Sequence, residues 1–148
     1  MFALDPRLQH DTIALGRFPL SLLLLMNDRT YPWLILVPQR EGIREIFELA
    51  PADQHQLLDE SCHLAATLAT LLRPDKLNIA ALGNVVPQLH LHHVARFRSD
   101  PAWPAPVWGT SPAVPYRRAE VEAFRERLIP QLADFSPAAD DGFDRCAP

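Results

Sequence analysis

Runs of apolar residues predict five β-strands in this chain. The predicted strands span residues 12–19, 20–27, 33–38, 77–82 and 88–97. The third run is apolar at every position from Trp33 to Val37, which indicates a central strand that is covered on both faces. The segment from Asn27 to Pro32 is typical of a turn, so the second and third strands are expected to be neighbours along the chain.

Helical periodicity predicts three helices. A short leading helix covers residues 5–11, a long helix runs from Pro51 to residue 73, and a last helix covers residues 117–129. Apolar or small residues recur in the long helix at i, i+3 and i+4, which predicts the side that faces the core. This core stripe comprises Leu57, Leu58, Ser61, Cys62, Leu64, Ala65, Leu68, Ala69 and Leu72, with polar residues such as Glu60 expected on the opposite side.

Several strands interrupted by one long helix and followed by a closing helix are typical of an α+β fold. The chain has 148 residues, enough for one domain with a substantial core, which we place at residues 1–135. The proline-rich segment 100–115 is expected to wrap over the surface in extended conformation. The acidic tail at 136–148 is expected to fray.

The last predicted strand carries the most distinctive chemistry, in the run Gln88-Leu89-His90-Leu91-His92-His93-Val94. Because side chains alternate between the two faces of a strand, Gln88, His90 and His92 share one face. His93 points to the other face with the leucines, and we expect a structural role for it. The two imidazoles of the shared face lie about 7 Å apart along the strand, where they could act as nucleophile, proton carrier or metal ligand.

Three interpretations of His90 and His92 are open from the residues alone. They could be two ordinary histidines satisfied by hydrogen bonds. They could bind a metal, although His10, His55 and His63 lie in N-terminal or helical segments without the spacing of further ligands. They could also form a site in which a neutral imidazole attacks phosphorus and forms a covalent nucleotidyl intermediate. That site needs backbone N–H groups near anionic oxygens, which the Gly-Asn-Val-Val-Pro segment at 83–87 could supply.

Composition narrows the partners and the compartment. The chain is 48% hydrophobic and 22% charged with a net charge of -4, so no broad basic surface for duplex nucleic acid is expected. The longest apolar run, residues 20–26, is far below the about 20 residues of a membrane span, and the first residues do not form a signal peptide pattern. Cys62 and Cys146 form neither a metal-type pair nor a disulfide framework, which favours the cytoplasm.

The histidine run and its surroundings resemble the histidine triad (HIT) superfamily. The signature of that family is His-φ-His-φ-His-φ-φ, where φ is apolar, on a strand after a glycine-rich approach. The resemblance covers about residues 12–98, including the apolar run that ends in Pro38-Gln39-Arg40 and the long helix after it. The Gln-x-His-x-His-His variant and the segment 100–109 resemble a bacterial subgroup. A HIT-like fold implies a mainly antiparallel sheet of about five strands, one long helix packed on it and a C-terminal helix.

The resemblance also implies roles for individual residues. His90 matches the family's nucleophile, and His92 matches the histidine that contacts phosphate oxygens. Gly83 and Asn84 match the glycine and the polar residue on the phosphate side of the site.

Further positions match the family less tightly. The ribose-binding position falls on Asn27 or Asp28. Arg96 lies where the family often has a basic residue that reaches phosphate, the alternative being a solvated salt bridge. Trp103 and Trp108 are expected to pack, with the edge of the base pocket as the alternative. Gln88 is counted with the substrate-binding residues because it occupies the first position of the motif.

The chain departs from the family at Gln88, which replaces the first motif histidine, and at Trp33, which replaces an upstream histidine. Gln88 still offers its main-chain carbonyl to orient the nucleophile, although its side chain cannot titrate near neutral pH. The implied function is a nucleotide phosphohydrolase or nucleotidyl transferase that forms a nucleotidyl-His90 intermediate. Its substrate would be a nucleoside phosphate, a dinucleoside polyphosphate such as diadenosine polyphosphate, or a phosphoramidate. The alternative is a non-catalytic nucleotide-binding module.

The same resemblance sets the expected partners. We expect no required cofactor, no metal, no membrane and no duplex nucleic acid. We expect a homodimer, because the family commonly dimerises and the apolar third strand and long helix are compatible with an interface.

Overall fold

The computed structural model describes residues 1–139 and 141–143, and it contains one antiparallel sheet. The strands are β1 (Thr12–Arg17), β2 (Ser21–Met26), β3 (Trp33–Pro38), β4 (Lys76–Ala80), β5 (Leu91–Arg96) and β6 (Ser136–Pro137). They lie in the order β4-β5-β3-β2-β1-β6, and every neighbouring pair is antiparallel. The predicted α+β fold is confirmed.

Three helices accompany the sheet, namely α1 (Pro6–Asp11), α2 (Pro51–Leu72) and α3 (Arg118–Leu128). Short 3₁₀ turns lie at Ile46–Glu48 and Ile129–Gln131. A proline at the start of α1 and of α2 suits the first helical turn, where its missing N–H costs nothing. In the described part of the chain, no helix is both long and apolar enough to cross a bilayer.

The sheet has six strands rather than about five, because Ser136 and Pro137 pair with Arg17 and Gly16. Gly16 permits this pairing: a Cβ at its position would lie 2.3 Å from the Ser136 carbonyl oxygen. The sixth strand lies within the segment predicted to fray. Residue 140 and residues 144–148 lie outside the described part of the chain, so the predicted boundary at 135 stays a prediction.

Two apolar layers cover the two faces of the sheet. On one face, α2 and α3 pack against alternate residues of the strands through Leu57, Leu64, Leu68 and Val121. On the other face, Leu8 of α1 and Ala102 and Val107 of the proline-rich segment cover the sheet. β3 lies between β5 and β2 and all six of its residues are buried, as predicted for a central strand. Each large apolar side chain buried there contributes about 1.5–3 kcal/mol.

The predicted core stripe of α2 was wrong at four positions. Leu58, Cys62 and Ala69 are exposed, whereas Glu60 is buried. Glu60 can be buried because its Oε1 accepts hydrogen bonds from the Leu20 backbone N–H at 2.8 Å and from the Gln56 amide at 3.1 Å. Glu60 is therefore buried because it accepts a backbone N–H between β1 and β2, although the helical periodicity placed it on the polar surface.

The proline-rich segment was also predicted incorrectly, since most of it turns rather than running extended. Backbone hydrogen bonds of the turn type connect Asp100 to Phe97, Trp103 to Asp100 and Ala105 to Ala102. The segment therefore forms a compact cap on its face of the sheet, which places Trp108 near β3 and β5.

Candidate active site

His90 and His92 lie beside each other on the sheet face that α1 and the proline-rich cap cover. Their ring centroids are 4.8 Å apart, so the prediction of a shared face holds for these two side chains. β5 begins at Leu91, three residues later than the predicted strand, and His90 is therefore the last residue of the approach loop. The exposed fractions are 7% for His90 and 5% for His92, so both rings are largely removed from water.

The hydrogen bond of His90 defines which ring nitrogen can react. His90 Nδ1 lies 2.6 Å from the main-chain carbonyl oxygen of Gln88. A carbonyl can only accept, so Nδ1 carries the hydrogen and donates it. In the neutral ring, Nε2 then has an unprotonated lone pair. This is the arrangement that a nucleophilic imidazole requires.

His92 has the opposite tautomer. The Trp33 indole N–H donates to His92 Nδ1 at 2.9 Å, so the hydrogen of the neutral His92 ring lies on Nε2. Burial, with smaller contributions from His90 and His93, lowers the pKa of His92 to about 3. His92 is therefore a neutral hydrogen-bond donor at physiological pH. It can hold an anionic oxygen without itself carrying a charge.

His93 is a structural residue in this arrangement. Its side chain is fully buried, its Nδ1 lies 3.1 Å from the Leu91 carbonyl, and its Nε2 lies 2.7 Å from the Ser61 hydroxyl of α2. With Nδ1–H donated to the carbonyl, Nε2 accepts from the hydroxyl. Burial lowers the pKa of His93 to about 4, so this neutral ring ties β5 to α2.

A pocket of about 200 Å³ opens next to the two site histidines. Residues from α1, from the loop before β5, from the sheet and from the proline-rich cap line it, namely Arg7, Leu8, Asp11, Met26, Trp33, Leu82, Gly83, Asn84, Val85, Val86, His90, His92 and Trp108. Trp108 stands edge-on to both Trp33 and His92, at centroid distances of 5.6 and 5.2 Å. One end of the pocket is therefore aromatic and apolar, whereas the histidines provide polar nitrogen atoms.

The loop before β5 brings Gly83 and Asn84 to the pocket wall, and their contact with phosphate stays a prediction. Gly83 has a φ of +75°, a left-handed conformation that a side chain would strain. The glycine is thus needed for the turn itself, and the turn places this stretch of backbone at the pocket wall.

Gln88 lies next to the site, but its side chain is directed away from it. Its Oε1 accepts the Asp5 backbone N–H at 2.9 Å, and its Nε2 donates to the Ala3 carbonyl at 2.8 Å. The side chain does not line the pocket, and both of its polar ends are bonded to the N-terminal segment, so the structure gives no support to the predicted substrate contact of Gln88. Its main-chain carbonyl keeps the predicted orienting bond to His90.

Asn27 and Asp28 are not in the pocket either, contrary to the predicted ribose edge. Asn27 Oδ1 accepts the Tyr116 backbone N–H at 2.9 Å, and Asp28 Oδ1 accepts those of Thr30 and Val114 at 3.0 and 3.1 Å. Their side chains are occupied in fastening the segment before α3 to the β2–β3 turn. The residue with a carboxylate at the pocket is instead Asp11, at the end of α1.

Arg96 was predicted to contact phosphate or to form a solvated salt bridge, and both predictions were wrong. Its side chain is only 1% exposed and forms a two-pronged bond to Asp100 at 2.8 and 3.0 Å. The remaining donors bind Asn78 Oδ1 and the Ala105 carbonyl. This guanidinium holds the proline-rich cap to β5 and β4, and it holds the pKa of Asp100 below its ordinary value.

Sequence reasoning missed the contribution of α1, whose Arg7, Leu8 and Asp11 form one wall of the pocket. The sequence predicted a leading helix at 5–11, but no pattern in the sequence indicated where this helix would pack. From the sequence, Trp33 was described only as the start of the third strand and as the residue that replaces an upstream histidine. Its indole N–H is in fact the donor that determines the tautomer of His92.

Among the described residues, no group of three or more His, Cys, Asp and Glu side chains is arranged to hold a metal ion. A groove of about 620 Å³ along α2 contains no histidine, carboxylate or thiol; it is lined by Ala66, Thr67, Thr70, Leu71, Arg73 and Gln131. Another opening of about 240 Å³ is lined in part by Asp59, Glu60 and His63. There Glu60 Oε1 accepts the Leu20 backbone N–H, and His63 Nε2 accepts that of Ala133 at 3.0 Å. Neither opening contains two adjacent histidines, unlike the smaller pocket at His90 and His92.

Comparison with known proteins finds relatives in sequence and in fold. Residues 7–99 match the family model described as the HIT domain. A histidine triad (HIT) protein from Sinorhizobium meliloti 1021 is 48% identical, covering 89% of this chain and 98% of that one, with a TM-score of 0.87. A histidine triad protein from Marinobacter aquaeolei VT8 is 52% identical, covering 89% of this chain and 96% of that one, with a TM-score of 0.88. A histidine triad protein from Bradyrhizobium japonicum is 44% identical, covering 89% of this chain and 98% of that one, with a TM-score of 0.87. No curated protein matches the chain.

Proposed function

Because this chain belongs to the histidine triad (HIT) family, as its sequence resemblance predicted, we propose that it is a nucleotide phosphohydrolase or nucleotidyl transferase. The family supports a nucleotide-binding or hydrolase function in general. The proposal goes further and assigns a covalent nucleotidyl-His90 intermediate. The observation that carries it is the bond from His90 Nδ1–H to the Gln88 carbonyl, which leaves Nε2 unprotonated at the pocket.

In the first step, His90 Nε2 attacks the phosphorus atom bound to the nucleoside. A P–N bond forms, and the P–O or P–N bond to the leaving group breaks, so that the leaving group takes the electron pair. A phosphate or nucleotide leaves as an anion, whereas an amine takes a proton from water. The ring becomes positively charged, and the Gln88 carbonyl stabilises that charge through Nδ1–H.

In the second step, water attacks the same phosphorus and the P–N bond to His90 breaks. The electron pair returns to Nε2, and a nucleoside monophosphate is released. One proton of the attacking water stays on the product phosphate, and the other goes to solvent or, after an amine has left, to the hydroxide formed in the first step. In both steps His92 donates its Nε2–H to a non-bridging phosphate oxygen, where negative charge develops. Removing one such donor typically slows a reaction by about 10²–10³-fold.

The pocket lining supports a nucleoside phosphate as the ligand. Trp108, Leu82 and Val85 offer an apolar surface for a purine base, and Gly83 and Asn84 are the lining residues that we propose for the phosphate chain. Asp11 is the carboxylate that can accept hydrogen bonds from ribose hydroxyls. The covalent step uses an imidazole and water, so we propose that it requires no cofactor.

The alternative function is a non-catalytic nucleotide-binding module. The departure at Gln88 suggests it, since the first imidazole of the motif is missing. One observation favours the enzyme: the group that orients His90 is the carbonyl of Gln88, which any residue at this position supplies. Calorimetry with AMP, GMP and a dinucleoside tetraphosphate tests binding, and absence of binding by all three below millimolar concentration would refute both functions.

A labelled adduct separates the two functions. With an activated nucleotide such as adenosine phosphoramidate, mass spectrometry should find one nucleotidyl group on His90 of the wild-type protein. The His90→Ala variant should show no adduct and no turnover while it still binds AMP, because only the nucleophile is removed. His92→Ala should form the adduct about 10²–10³-fold more slowly. A wild-type protein that binds AMP and stays unlabelled is a binding module.

Assembly and compartment are also proposals. We propose a homodimer that uses the outer edge of the sheet, where β4 has no further neighbouring strand among the described residues. Cys62 is an exposed thiol with no disulfide partner among the residues that the structure describes, which is compatible with the reducing cytoplasm, the compartment we propose.

A further inference from the structure

The N-terminal segment, residues 1–11, is fastened beside the pocket by the side chain of Gln88. The amide uses both of its polar ends, since Oε1 accepts the Asp5 backbone N–H and Nε2 donates to the Ala3 carbonyl. The two bonds join positions more than eighty residues apart in the chain. The residue that departs from the family motif is thus the one that anchors this segment.

The anchored residue Asp5 is the N-cap of α1. Its carboxylate accepts the Arg7 backbone N–H at 2.8 Å, and Leu8 in the next turn is buried against the sheet. A cap at one end and a buried leucine in the middle define the rotation of this short helix. With that rotation, Arg7 and Asp11 lie one turn apart at the pocket.

Arg7 is the only lysine or arginine that lines the pocket in the described part of the chain. A nucleoside monophosphate carries negative charge, while His92 is neutral and Arg96 is consumed by internal bonds. Arg7 forms an ion pair with Asp11 at 3.5 Å, and the side chains of both are substantially exposed. Exposed pairs of this kind are weak, so the guanidinium can turn to phosphate, to which it can donate two parallel bonds.

We propose that Arg7 contacts the phosphate of the bound nucleotide, and that Gln88 is a positioning residue that acts through Arg7. Gln88 holds Asp5, Asp5 caps α1, and α1 presents Arg7 to the pocket. The inference rests on the proposed nucleotide binding. It adds a specificity-determining cation from outside the histidine motif.

The first test compares phosphate with no phosphate as the ligand. Calorimetry with AMP and with adenosine is performed on the wild-type protein, on Arg7→Gln and on Arg127→Gln. Arg127 is an exposed arginine of α3, which packs on the opposite face of the sheet. The Arg127→Gln substitution therefore removes the same charge at a position far from the pocket. Arg7→Gln should weaken AMP binding about tenfold and leave adenosine binding unchanged. Arg127→Gln should match the wild type with both ligands.

The second test asks whether Gln88 acts through Arg7. Gln88→Ala should weaken AMP binding about threefold in the wild-type background and cause no further loss in the Arg7→Gln background. The His90 contact is unaffected, because Gln88 supplies it from the main chain. If Gln88→Ala does not fold, as judged by circular dichroism, Gln88→Glu replaces it: that carboxylate keeps the bond from Asp5 and loses the one to Ala3.

The outcomes separate the inference from the proposed function. If the wild-type protein binds no nucleotide, both fail. If it binds AMP and Arg7→Gln binds AMP equally well, the inference is overturned and the proposed function stands. If Gln88→Ala weakens AMP binding by the same factor in both backgrounds, Arg7 keeps its role and the positioning role of Gln88 is overturned.

Discussion

Three histidines within four residues have three different chemical roles because each has a different partner. A carbonyl accepts from His90, an indole donates to His92, and a serine hydroxyl meets His93. The partners decide which nitrogen carries the hydrogen in each neutral ring. One ring therefore offers a lone pair to the pocket, the second offers an N–H, and the third joins β5 to α2.

At the residue scale, we predict acid sensitivity from two of these rings. Burial lowers the pKa of His92 to about 3 and that of His93 to about 4, below the 6.5 of an unfolded chain. The unfolded state therefore takes up protons first, and the stability that the two groups contribute is complete above pH 6.5 and is lost as the pH falls towards 4. For each of the two histidines, the unfolding free energy should fall by close to about 1.4 kcal/mol for every pH unit in this range.

Urea unfolding at pH 7, 6 and 5 measures this dependence. The His93→Gln variant keeps a side chain that can bond to Ser61 but cannot titrate, so its stability should fall about half as steeply between pH 6 and pH 5. Equal slopes in the variant and the wild type would contradict the assignment to His93.

The sequence predicted on which face of the strand the site histidines lie, but it did not predict their hydrogen-bond partners. Alternation along the strand was enough to place His90 and His92 on one face. It could not give their tautomers, because Trp33 comes from a neighbouring strand and the Gln88 carbonyl from the approach loop. Arg96 was misjudged for a related reason, since its burial depends on the turn that brings Asp100 and Ala105 back to it.

At the scale of elements, Arg96 attaches the proline-rich cap to the sheet, and its loss should be costly. Arg96→Gln leaves the Asp100 carboxylate buried without its cation, although the backbone N–H groups of Phe97 and Ala102 still donate to it. Removing one partner of a buried pair costs about 3–5 kcal/mol, and these remaining donors place the expected loss near the lower value.

Arg98 provides the matched control for this prediction. It lies two residues away and pairs with Asp75 at 3.7 Å, but 80% of its side chain is exposed. Arg98→Gln should cost less than about 1 kcal/mol in unfolding free energy. Urea denaturation of both variants checks the difference, and similar losses would show that Arg96 does not fasten the cap.

The elements themselves were predictable where one physical pattern dominated. β3 is apolar throughout and is central, and the proline at its end and the proline at the start of α2 mark their boundaries. The stripe of α2 was misplaced because periodicity cannot foresee that the Leu20 backbone N–H would need a buried acceptor in Glu60. The pairing of Ser136 with β1 was likewise invisible, since two residues form no pattern.

At the scale of the whole molecule, the sheet decides where a second copy could dock. The predicted dimer was motivated by the apolar third strand and long helix, but β3 is buried within a single chain. The outer strand β4 is different, because β5 covers only one of its edges. Ile79 of β4 pairs with His93 and is 47% exposed, so α2 does not cover this end of its face. An uncovered strand edge with apolar side chains favours pairing with another chain.

We therefore expect two copies to associate through β4, in a symmetric contact where the same surface of each copy is buried. Ile79→Lys should give the monomer mass by light scattering at micromolar concentration, because two charges would meet across the twofold axis without partners. Val114→Lys places the same charge on another exposed apolar residue, in the segment that Asp28 fastens to the β2–β3 turn, and should keep the dimer mass of the wild type. A wild-type monomer would refute the dimer, and a dimer that survives Ile79→Lys would exclude the β4 edge as its interface.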